Sequence, residues 1–99
     1  MDADKWLQIT EDDLHPHLKA RMIQRGITLE ELEYTLNKGW NAQDSKFGTF
    51  GKTMVYTYCD KWEGQFYDEK EVTVYYKIVD GYPVLLTVKA RYGKSFPKG

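Results

Sequence analysis

Apolar positions recur at helical spacing twice in the N-terminal part of the chain. Leu18 and Met22, joined by Ala20 and Ile23, mark the buried side of a helix that opens at His15 or Pro16 and runs to about Arg25. Pro16 fits the first helical position, where its missing N–H costs little. Thr10 followed by Glu11, Asp12 and Asp13 suits a separate short turn ahead of it. Gly26 fits the left-handed residue that ends a helix. The next junction carries the strongest local signal. Thr28 and Glu31 have capping-box spacing, and Ile27 and Leu32 have the spacing of a hydrophobic staple. Leu29, Leu32 and Leu36, with Tyr34 at the margin, continue a second helix. Lys38 sits in its last turn and Gly39 stops it.

Beyond Gly39 the period changes to two. Lys52–Cys59, Lys70–Val79 and Val84–Tyr92 read as strands. An irregular strand is expected near Trp40–Gln43 or Phe47–Phe50. Asp60–Glu69 reads as a long hairpin connection, and Asp80–Gly81 is a turn signal. Residues 1–9 are polar apart from Trp6, Leu7 and Ile9, which would anchor a helical turn or an edge strand. The expected fold is α+β, with two N-terminal helices packed on a three- to four-stranded antiparallel sheet. A single domain spans 1–99: a helical hairpin over 10–39, the sheet over 40–92 and a basic tail over 93–99.

Register sharpens the last hairpin. Val72, Val74, Tyr76 and Ile78 share one face, as do Val84, Leu86, Val88 and Ala90. A two-residue loop at Asp80–Gly81 sets Val74 opposite Thr87 and mixes the faces. A loop of odd length, such as Asp80–Tyr82, sets Val74 opposite Val88 and Tyr76 opposite Leu86. A one-residue slip flips every side chain, so the odd loop is expected. The opposite face then carries Thr73, Tyr75, Lys77, Thr87, Lys89 and Arg91. If the strand Lys52–Cys59 puts Met54, Tyr56 and Tyr58 inward, then Thr53, Val55 and Thr57 join that outer face.

The chain has 99 residues, of which 41% are hydrophobic, enough for one modest core. The net charge of −1 removes any global attraction to nucleic acid, so a basic surface would have to be local. The single cysteine, Cys59, has no internal disulfide partner. With no long apolar run and no apolar signal core near Met1, a cytoplasmic protein is expected.

Two sets of residues carry candidate chemistry. His17, Arg21 and Arg25 follow one another at steps of four along the first helix, where an imidazole and two guanidiniums could grip a phosphate and move a proton. The ordinary reading, which composition favours, is a solvated face whose arginines pair with Glu30, Glu31 or Glu33. Tyr75, Lys77, Lys89 and Arg91, with Tyr92 and Lys94 nearby, interleave cations and aromatics, as a nucleic-acid surface does. An ordinary solvated sheet face weighs equally. His15 and His17 point to different sides of a helix and make a poor metal pair, and His15 reads as a cap or surface residue. No metal site, cofactor motif, nucleophile elbow or phosphate loop is present.

The run His17-x-x-x-Arg21-x-x-x-Arg25-Gly26-Ile27-Thr28, the helix ending at Gly39 and the closing Leu85-Leu-Thr-Val88 resemble a bacterial family of domains of unknown function grouped with RelE-like and BrnT-like toxins. The resemblance covers roughly residues 14–90. It implies two helices on an antiparallel sheet and an mRNA-cleaving or RNA-binding role as the toxin of a toxin–antitoxin pair, acting without a metal through the ribose 2′-hydroxyl. By motif position only His17, Arg21 and Arg25 carry over. Two functions are therefore in view. In the first, a ribonuclease, His17 is acid or base, Arg21, Arg25, Lys89 and Arg91 hold phosphate, and Tyr75, Lys77 and Tyr92 complete the RNA surface. In the second, a non-catalytic module, the Trp62–Tyr67 stretch and an edge strand bind an antitoxin, another protein or a second copy as a homodimer.

Overall fold

The computed structural model describes residues 6–99; the reading of Met1–Lys5 lies outside them. A 3-10 turn at Glu11–Asp13 leads into α1 (Pro16–Arg25) and α2 (Leu29–Lys38). Four strands follow: β1 (Trp40–Asn41), β2 (Phe50–Trp62), β3 (Gln65–Val79) and β4 (Tyr82–Gly93). They form one antiparallel sheet in the order β1-β2-β3-β4, with both helices packed on one side. This is the expected α+β fold.

The helix ends follow the sequence closely. His15 caps α1: its Nδ1 accepts from the Leu18 N–H at 3.2 Å. Its Nε2 therefore carries the proton and donates to the Leu85 carbonyl at 3.2 Å, tying the helix start to β4. Gly26 is left-handed (φ 72°), and the Gly26 and Ile27 N–H groups bond back to Ile23 and Met22. The Thr28–Glu31 capping box closes reciprocally, at 3.0 and 3.1 Å. Gly39 works differently from Gly26. Its φ is −70°, and a Cβ there would lie 2.5 Å from the Thr35 carbonyl and 2.6 Å from that of Thr53. It is a close-approach glycine, not a left-handed cap.

The segment before α1 forms neither a helical turn nor a strand at Trp6–Ile9. It runs along α2, where Asn37 exchanges two hydrogen bonds with the Leu7 backbone and Glu33 accepts from the Ile9 N–H. Ile9, Leu14, Leu18, Met22, Ile27, Leu32 and Leu36 meet Val72, Val74, Leu85 and Val88 in the core. Ala20 and Ile23, expected on the buried side of α1, are exposed. Ile78 and Val84, expected inward, are also exposed: Ile78 lies beyond the core residues near the β3–β4 turn, and Val84 pairs with outward-facing Lys77 and so turns away from the helices.

Both hairpins depart from expectation. Asp60–Glu69 is not a long connection. β2 and β3 run on to a two-residue turn at Glu63–Gly64, both with positive φ (52° and 84°). Opposite Asp68 the ladder absorbs an extra residue at Tyr58–Cys59, where Cys59 adopts φ 47°. The β3–β4 loop is likewise two residues long, with Val79 facing Tyr82 and Asp80 and Gly81 both at positive φ. Yet Val74 does face Val88. An extra residue at Leu86, between the Tyr75–Thr87 and Tyr76–Leu85 pairs, shifts the register by one. The correction lies in the strand, not in the loop, and Leu85 replaces Leu86 as the core residue.

Candidate functional site

On the sheet face away from the helices, Thr53, Glu71, Thr73, Lys89 and Arg91 form the floor of a groove of about 520 Å³. Residues Trp40–Asp44 form one wall and Pro97 and Gly99 contribute to the rim. Strand alternation puts these floor side chains together. Val72, Val74, Val88 and Ala90 turn toward the helices, so Glu71, Thr73, Lys89 and Arg91 turn away. The Thr53 and Thr73 hydroxyls bond to each other at 3.0 Å on the buried floor.

The wall is held by a glycine. A Cβ at Gly51 would lie 2.8 Å from Ala42 and 2.9 Å from Ser45, so only glycine lets this loop lie flat against β2. That places Asp44 over the floor, where it accepts from the Tyr75 hydroxyl at 3.0 Å and pairs with Lys89. Lys89 and then Tyr75, as hydrogen-bond donors, hold the Asp44 carboxyl below the usual carboxylate range. The Asp44 bond in turn raises Lys89, and burial raises Tyr75. Both partners of the Asp44–Lys89 pair stay about half exposed, so the pair contributes little and an incoming anion can displace it.

Arg91 is held differently. Its Nε donates to Glu71 Oε1 at 2.7 Å, and its guanidinium lies 5.0 Å from the Phe96 ring centroid. Its terminal nitrogens make no hydrogen bond among the described residues, which leaves the outer edge of the fork free. The Glu71 side chain is 11% exposed and that of Arg91 59%. The tail bearing Phe96 is tied down through Glu69, which accepts from the Phe96 N–H at 2.9 Å and pairs with Lys98 at 2.7 Å.

The sequence-predicted residues do not form one site. Lys89 and Arg91 line the groove and Tyr75 stands beside it, whereas Lys77 lies farther along β3, exposed near the turn. His17, Arg21 and Arg25 lie on α1, on the opposite side of the sheet, so no composite site with Arg91 exists. His17 is exposed and its ring stacks 6.1 Å from that of His15, although a spacing of two suggested different sides. The Arg21 and Arg25 side chains make no ion pair among the described residues, so the expected pairing with Glu30, Glu31 or Glu33 is also absent.

Tyr92 is a correction as well. It faces the helices, stacks on Trp62 at 4.9 Å and 10°, and donates to the Arg25 carbonyl at 2.6 Å. Tyr58 and Tyr67 join it. This aromatic cluster covers Gly26 and the buried Lys70 ammonium, which bonds to the Gly26 carbonyl and to Glu31. Trp62 is thus a packing residue, while Phe66 remains exposed. No group of three or more His, Cys, Asp or Glu able to hold a metal occurs among the described residues.

Glu71, Trp40 and Asp44 are not among the sequence-predicted site residues. Glu71 was within reach, since it sits one step before Thr73 in the same alternation. Asp44 gave no periodic signal, because an irregular loop carries it. No protein-family model, curated protein or solved structure matches the chain. No helix among the described residues is long and apolar enough to cross a membrane.

Proposed function

We propose that this protein is an RNA-directed, metal-independent ribonuclease, of the kind that serves as the toxin of a toxin–antitoxin pair, and that it holds single-stranded RNA in the outer-face groove. One observation carries the reading. Lys89 and Arg91 stand two residues apart on the floor of a groove walled by Trp40, with Tyr75 alongside. Two cations suit successive backbone phosphates, and aromatic rings offer stacking surface to bases. The resemblance of the His17–Thr28 run to toxin-like domains points the same way. The site is the groove, and His17 takes no part in it.

Expression in a bacterium should arrest growth, and the purified chain should cut single-stranded RNA in the presence of a chelator. Arg91→Ala should slow cutting by about 100-fold or more, because it removes a donor to the transition-state charge. His17→Ala should leave the rate unchanged. A wild-type chain that leaves RNA intact overturns the reading. A non-catalytic module that binds an antitoxin, another protein or a second copy would then gain ground. Ile78, Val79, Tyr82 and Val84, exposed together at the β3–β4 turn, would be its natural contact.

A further inference from the structure

Glu71 is placed as a base for RNA cleavage would be. It lies on the groove floor, largely buried between Val55 of β2 and Arg91 of β4. Only Oε1 is engaged, by Arg91 Nε; Oε2 has no hydrogen-bond partner among the described residues. The guanidinium stays open to solvent with its terminal nitrogens unused among the described residues. One guanidinium thus joins a carboxylate oxygen without a partner to a free phosphate-binding edge. A phosphate held on that edge would set the adjoining ribose near Glu71, because the same guanidinium holds the Glu71 carboxylate at 2.7 Å. Lys89 is the diagonal neighbour of Glu71 across the β3–β4 ladder, their backbone positions roughly 7–8 Å apart, and its ammonium reaches Asp44 at the groove wall, from which a phosphate can draw it.

Resting on the ribonuclease reading, we propose that Glu71 is the general base of the reaction, in the role the sequence suggested for His17. Its Oε2 takes the proton of the ribose 2′-hydroxyl, and the 2′-oxygen forms a bond to phosphorus. The bond from phosphorus to the 5′-oxygen breaks with its electron pair on that oxygen, which takes a proton from the Lys89 ammonium. Arg91 Nη groups hold the non-bridging oxygens. The products are a 2′,3′-cyclic phosphate and a 5′-hydroxyl end, and exchange with water returns both side chains to their starting forms.

The test uses a fluorescent single-stranded RNA of mixed sequence and the full chain, with binding read by anisotropy and cutting by gel in chelator. Glu71→Gln is expected to bind within about twofold of wild type and to cut at least about 100-fold more slowly, with cyclic-phosphate ends on the wild-type products. Glu71→Gln that folds, binds and cuts within threefold of wild type overturns the assignment while leaving the ribonuclease reading intact. If the glutamine variant melts early, Glu71→Asp keeps the charge but withdraws the oxygen, and is expected to cut at least about 10-fold more slowly. Wild-type rate in that variant is equally fatal. A wild-type chain that binds without cutting defeats both the assignment and the reading beneath it.

Discussion

Lys70 brings an ammonium into the space between the sheet and the α1–α2 junction, where its side chain is 3% exposed. The Gly26 carbonyl and Glu31 accept from it, and the rings of Tyr58 and Tyr92 lie 5.6 and 5.7 Å away. Glu31 also closes the Thr28 capping box, so one carboxylate serves a helix start and a buried cation. Lys70→Ala leaves Gly26 O and Glu31 short of a donor and opens a gap. Because Glu31 is partly exposed, water can reach it, and the loss should fall near about 3 kcal/mol, the lower part of the range for breaking a buried pair. Lys70→Met refills the volume and should lose roughly half as much. Urea melts of the three proteins check this order. A Met variant as stable as wild type would mean that the ion pair adds no net stability.

At the scale of elements, the α1–α2 junction was legible because its signals are local. A cap, a staple and a left-handed glycine need only neighbours in sequence. Gly26 carries a second constraint that only the fold reveals. A Cβ there would lie 2.5 Å from the Trp62 ring and 2.8 Å from the Tyr92 hydroxyl. Gly26→Ala therefore combines a strained φ with a clash between packed elements, and should cost at least about 2 kcal/mol. A thermal melt within a degree of wild type would refute that stacking. The hairpins were less legible. The Glu63–Gly64 turn begins with a glutamate at positive φ, a conformation that glutamate seldom advertises. Alternation correctly demanded Val74 opposite Val88. It could not tell whether the odd residue lies in the loop or at Leu86, since either restores the faces. The groove shows the same division: strand alternation gave Lys89 and Arg91, but the loop that delivers Asp44 had no pattern to read.

Across the whole molecule, tyrosine ties both sides of the sheet to pH. Burial is the first cause raising Tyr56 and Tyr92 on the helix side, Tyr75 beside the groove, and Tyr58 and Tyr76. A raised phenol favours the neutral form in the folded state, while the unfolded chain ionises near the ordinary value of 10.0. Above that pH the folded state holds more protons than the unfolded one, so stability falls as pH rises. Below it the contribution is fully present. Tyr92 is shifted far upward, with its hydroxyl on the Arg25 carbonyl, and, discounted for solvent screening of a partly exposed ring, should account for about 1 kcal/mol per pH unit above pH 10. Tyr92→Phe loses that hydrogen bond and should be about 1 kcal/mol less stable at pH 7. It also loses the titration, so its decline above pH 10 should be shallower and the two curves should converge near pH 11. Urea midpoints at pH 8, 9, 10 and 11 measure this directly. Parallel curves would mean that Tyr92 ionises as freely folded as unfolded, and that the aromatic cluster over Gly26 opens to solvent before the molecule does.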